Sequence, residues 1–221
     1  MLILITLLND FSLIAIGYDY VQPQDTPCVW NKRALFFISS VLAAVALVSS
    51  LILLEFSLNS WNPHSFYASI GLGGLSYGQV TTSIYLKVSV SDFLTLFSAR
   101  TGGDWFWTQR PAPMLLAAAC FALAVSTILA CSWPAGKIDE VYALGLGYRE
   151  PKALPVFIWF YCIFWWFVQD AAKVFFHRLM RKYNLFGVNN SGVLVLPSSA
   201  LEYKRNIIAK QLLSGVTGHK H

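Results

Sequence analysis

Of the 221 residues, 56% are hydrophobic, 15% aromatic and only 12% charged, about half the charged share of soluble domains. A soluble core of this size cannot hide so much apolar surface, whereas a bilayer removes it from water without a core. The net charge is +5, and much of the positive charge follows residue 176, so anionic headgroups are the expected counterpart and nucleic acid is not.

Five apolar stretches approach the length that crosses ~30 Å of hydrocarbon at ~1.5 Å per residue. They predict an all-α, polytopic transmembrane bundle, with spans at about 1–17, 34–56, 80–99, 112–133 and 153–176. The transmembrane region thus covers 1–176, and 177–221 forms a basic tail. The first stretch has no basic leader and carries Asp10 at its middle, so a span is expected there and not a signal peptide. The third is the least apolar, because it contains Lys87 and Asp92. The fourth has Pro113 in its first turn, where proline is tolerated. The fifth is dense in Phe, Trp and Tyr, suited to lipid contact or packing. Cys28, Cys120, Cys131 and Cys162 form no CxxC or Cys/His pattern and read as small apolar residues.

Counting Lys and Arg by side sets the orientation. The 18–33 loop, the 100–111 loop and the tail share one side and hold eleven of the sixteen, against Lys137, Arg149 and Lys152 opposite. The tail is therefore expected in the cytoplasm, with Met1 at the outer face. A chain whose first residue already lies in a span is expected to be the rear portion of something longer. The 57–79 loop contains Gly71-Leu72-Gly73-Gly74 but completes no phosphate-binding pattern, and it reads as a turn-rich connector. The sequon at Asn189 falls in the tail, where no glycan is expected.

Ionisable groups inside spans are costly, and they persist where they face a bundle interior or a hydrated path. Asp10 lies beside Asn9 and Ser12, which could loosen the helix around a hydrated carboxyl. It reads either as a carrier of a proton or cation, or as a structural hydrogen-bonded acid. Asp92 shares a helical face with Tyr85, Ser89 and Thr95. That polar stripe reads equally as helix–helix adhesion or as part of a transport path. Lys87 is expected to snorkel toward the outer interface. Glu55, Asp170 and Lys173 are expected to act as interfacial anchors.

The run Leu4-Ile5-Thr6-Leu7-Leu8-Asn9-Asp10, with Ala15-Ile16, Tyr18-Asp19-Tyr20-Val21-Gln22-Pro23, Pro27 and Trp30, resembles the sixth transmembrane helix and following loop of plasma-membrane P-type proton-exporting ATPases. The resemblance continues through Ile84 to Ser89, Leu96-Phe97, Arg110-Pro111 and the aromatic last span, in a form most like protist pumps. It implies the C-terminal membrane portion, helices six to ten, of an ATP-driven proton exporter in the plasma membrane. By resemblance, Asp10 is the proton acceptor and donor, Asn9 its partner, and Asp92 the polar position of helix eight. The family pattern Asn-Asp-Gly-Thr departs here to Phe11-Ser12, so Phe11 is expected to crowd the hydrated turn.

The sequence contains no DKTGT phosphorylation motif. ATP and Mg2+ are therefore expected to bind domains outside this chain, which itself needs no cofactor. The expected partners are the lipid bilayer, the transported H+, and either the missing N-terminal part of the pump or a full-length homologue. Two other readings stay open: a pump-derived, non-catalytic protein that modulates intact pumps, and a P-type pump for another cation.

Overall fold

The computed structural model describes residues 2–17, 19, 31–134, 136–138, 141–148 and 150–186. They form an all-α membrane bundle with one short hairpin. The elements are α1 (Leu2–Ile16), α2 (Lys32–Leu58), a 3-10 turn (Asn59–Trp61), α3 (Phe66–Ser69), α4 (Tyr77–Ala99), α5 (Pro113–Ser132), β1 (Gly136–Ile138), β2 (Val141–Ala143) and α6 (Leu154–Lys182).

Local chemistry sets the helix ends. Asn31 caps α2 by accepting from the Ala34 amide. Ser76 and Gln79 form a reciprocal capping box at the start of α4. α5 opens on Pro113, whose missing N–H costs nothing in the first turn. The far end of α5 leaves carbonyls without helical partners, and the chain returns after the hairpin to satisfy them. The amides of Gly145, Leu146 and Gly147 donate to the carbonyls of Trp133, Ala130 and Cys131 at 2.9–3.0 Å.

α2, α5 and α6 are long and apolar enough to cross a membrane. They turn large apolar side chains outward, among them Phe36 and Leu47 on α2, Phe121 and Ile128 on α5, and Phe160 and Phe164 on α6. Lipid solvates such a surface and water does not. α4 is the reverse. Its 23 residues reach about 35 Å, enough to span, yet it carries a run of hydroxyls, Lys87 and Asp92. It sits against α1, α2, α5, α6 and β2, so most of its polar groups face protein. Thr82 and Ser83 turn their hydroxyls back onto the carbonyls of Gly78 and Gln79, which satisfies them inside the bundle. The packed core joins Leu53, Leu86, Val90, Phe93, Ala122 and Ile158 from four helices.

Three sequence expectations change here. The 57–79 segment is more than a connector. It folds as a cap in which Tyr67 is fully buried against Phe157, with the Trp61 indole donating to the Leu75 carbonyl. Burial raises the Tyr67 phenol above its usual range, partly offset by the Ser57 hydroxyl beside it. Antiparallel β1 and β2 occupy part of the 134–152 link, where no strand was expected. The last helix continues six residues beyond 176 to Lys182, with Arg181 and Lys182 favourably placed at its negative end.

Candidate functional site

Asn9, Leu13 and Ile16 recur at helical spacing on α1 and face Asp92, Thr95, Leu96, Ala99 and Arg100 of α4 across a groove of about 520 Å³. The fold therefore brings Asn9 and Asp92 to one cleft. Asp92 is exposed there, and so accessible to a proton or cation. The Thr95 hydroxyl donates to the carbonyl of Ser91 at 2.7 Å and lies 3.0 Å from the side-chain oxygen of Gln169, which holds it at the rim. Ser89 belongs elsewhere, since its hydroxyl pairs with that of Ser126 on α5 at 2.5 Å. The stripe on α4 is thus divided between neighbours: Ser89 holds α5, Thr95 holds α6, and Asp92 looks onto the groove.

Asp10 is exposed on α1 and does not line this groove, and the side chain of Ser12 lies outside the described residues. The expected loosening at Asp10 is absent, because α1 is continuous from Leu2 to Ile16. Nor does Phe11 fill the cleft. It lies on the α5 side, with Met114 and Phe121 around a separate cavity of about 310 Å³.

The groove ends at an ion pair. Arg100 Nε and Nη2 donate to the two carboxylate oxygens of Asp19 at 2.7 and 3.0 Å, and both side chains are nearly buried. The bidentate geometry is the strong form of this contact. Asp19 also accepts from the Ala112 amide at 3.0 Å, while Arg100 donates to the carbonyls of Gln109 and Arg110. One acid and one base thus tie together the ends of α1 and α4 and the start of α5. Sequence reasoning assigned Asp19 no role. The available signal was an acid directly after a span, on the side where Arg100 and Arg110 also lie.

Two expectations about lysines are overturned. Lys87 does not snorkel: it is 2% exposed and donates to the Ala46 carbonyl at 3.0 Å and the Ser50 hydroxyl at 2.6 Å on α2. Asp170 and Lys173 are not interfacial anchors but a fully buried pair at 2.8 Å. Lys173 also donates to the Ser98 carbonyl and the Thr101 hydroxyl, each at 2.8 Å. Asp170 accepts from the Ser98 hydroxyl at 2.6 Å and from the Phe106 amide at 3.2 Å. Every donor and acceptor in this cluster has a partner, which is what a buried pair requires to be tolerated.

No protein-family model matches the sequence. Two probable proton ATPases of Leishmania donovani, 1A and 1B, are each 45% identical to this chain over 194 residues, or 85% of it. A putative cation-transporting ATPase of Methanocaldococcus jannaschii is 23% identical over 174 residues, or 79% of the chain. The chain spans about a fifth of the length of these curated relatives. With a multi-pass apolar bundle and 45% identity maintained across five-sixths of its residues, the chain corresponds by sequence to a membrane segment, about one-fifth of the full length, of these proton ATPases of the P-type class.

Proposed function

We propose that this chain supplies the membrane carboxylates of an ATP-driven proton exporter of the plasma membrane. Asp10 takes up and releases the proton, Asn9 supports it, and Asp92 offers a second carboxylate in the adjoining groove, with Thr95 at its rim. Ser12 follows Asp10 on the same helix, and Ser89 holds α4 against α5. The observation that carries this reading is the meeting of Asn9 and Asp92 in one open cleft of a chain 45% identical to proton ATPases. ATP and Mg2+ act on phosphorylation and nucleotide-binding domains outside these residues, supplied by the same polypeptide or by a full-length homologue. The basic tail lies in the cytoplasm.

The exposure of Asp10 fits this role, since the face it presents is open to further helices of a complete pump. The test is ATP-dependent acidification of inverted plasma-membrane vesicles carrying the complete pump. Asp10→Asn is expected to abolish acidification, while Asp92→Asn leaves a reduced rate. Undiminished acidification with Asp10→Asn rejects Asp10 as the carrier. Uptake of another cation without acidification rejects the proton as cargo.

A further inference from the structure

A further cavity, of about 370 Å³, opens between the start of α2 and the end of α6, with Ala99 of α4 in its wall. Its composition changes along its length. Leu35, Ile38 and Leu42 line it along α2, while Asn31, Lys173 and His177 stand at its end. Lys173 is committed to Asp170, so its charge is already neutralised. His177 Nδ1 is buried and has no hydrogen-bond partner. The rings of Phe37 and Phe176 meet at 5.8 Å, and the Asn31 amide donates to the Phe186 carbonyl at 2.8 Å, which fixes the two helix ends side by side. Lys32 shares the face of α2 that carries Ser39, and Arg178 follows His177 on α6; both are exposed near the polar end.

We infer that this cavity is a binding site for one anionic phospholipid, with its phosphate at the Asn31–His177 end and an acyl chain along Leu35, Ile38 and Leu42. The cations supply charge complementarity at the headgroup level, where basic residues near a membrane surface attract anionic lipid. The apolar strip along α2 suits a chain and not a free phosphate ion. His177 stands at the polar end of the cavity with its Nδ1 edge packed against Gly103.

The inference needs only the basic end of the bundle at a lipid surface, and it does not depend on Asp10 carrying protons. Its test is native mass spectrometry of the purified protein exchanged into mixed micelles with phosphatidylserine, phosphatidylcholine or inorganic phosphate. One phosphatidylserine per protein is expected to persist after activation, with phosphatidylcholine and phosphate lost. Ser39→Trp, which fills the cavity without changing charge, should remove the retained lipid. Lys32→Gln combined with Arg178→Gln leaves the cavity wall intact and should weaken retention. Lys204→Gln, in the tail, should not. Equal retention of phosphatidylcholine, retention of phosphate alone, or loss by Lys204→Gln as complete as by the other variants overturns the site. Should Ser39→Trp fail to fold, undiminished retention by the Lys32/Arg178 variant has the same force.

Discussion

Removing the Asp170 carboxylate would leave the Lys173 ammonium enclosed, with only a carbonyl and a hydroxyl for company. Breaking a buried pair in this way costs about 3–5 kcal/mol, mostly the penalty of an uncompensated charge. Asp170→Ala is therefore expected to lower the thermal transition of the purified protein sharply, and the double change Asp170→Leu with Lys173→Met should recover most of the loss. A double variant no better than the single would show that the pair holds the structure by more than charge balance. The three-residue spacing of this pair was legible in the sequence, but its depth was not. Hydropathy placed it near a span end, and no local pattern reveals that the 100–111 loop folds over to lend the Phe106 amide. Lys87 misled for a related reason. Snorkelling assumes lipid on the far side of the stem, and here α2 stands there with a carbonyl and a hydroxyl. Asn9 and Asp92, by contrast, were both legible as residue types, while their meeting across 82 intervening positions required the fold.

At the scale of elements, the end of α5 depends on how closely the chain can return to it. A Cβ on Gly145 would lie 2.6 Å from the Trp133 carbonyl and 2.7 Å from that of Cys131. Neither is the tip of a flexible side chain, so the loop must retreat and lose its capping hydrogen bonds. Gly145→Ala is expected to destabilise by about 1–3 kcal/mol, the usual cost of overpacking, read as a lower thermal transition with an unchanged fold. No change would mean that the return loop tolerates displacement. Helices with strong apolar character, such as α5, could be placed from sequence because a twenty-residue stretch interrupted only by Ser126, Thr127 and the terminal Ser132 has few alternatives. The hairpin could not, because strands of three residues are too short to display a period of two.

For the whole molecule, the count of basic residues by side makes a topological prediction that the bundle geometry accommodates. His64 lies in the Tyr67 cap and Thr108 in the loop after α4, both exposed and separated by the length of α4. In a cysteine-free background, His64→Cys should react with a membrane-impermeant maleimide in intact cells, and Thr108→Cys only after permeabilisation. The reverse pattern would invert the orientation. The enclosure of α4 also bears on how the protein is made. Among the described residues, α2, α5 and α6 have the length and apolarity of candidate spans, and a segment rich in hydroxyls with Lys87 and Asp92 gains little from entering lipid by itself. During synthesis α2 emerges before it, but α5 and α6, which supply the partners of Ser89, Thr95 and Ser98, emerge later. A nascent chain ending after residue 100 therefore holds the partners of Lys87 on α2 but not those of Ser89, Thr95 and Ser98. The final seating of α4 is completed only after α5 and α6 have been made, which couples its membrane integration to tertiary folding.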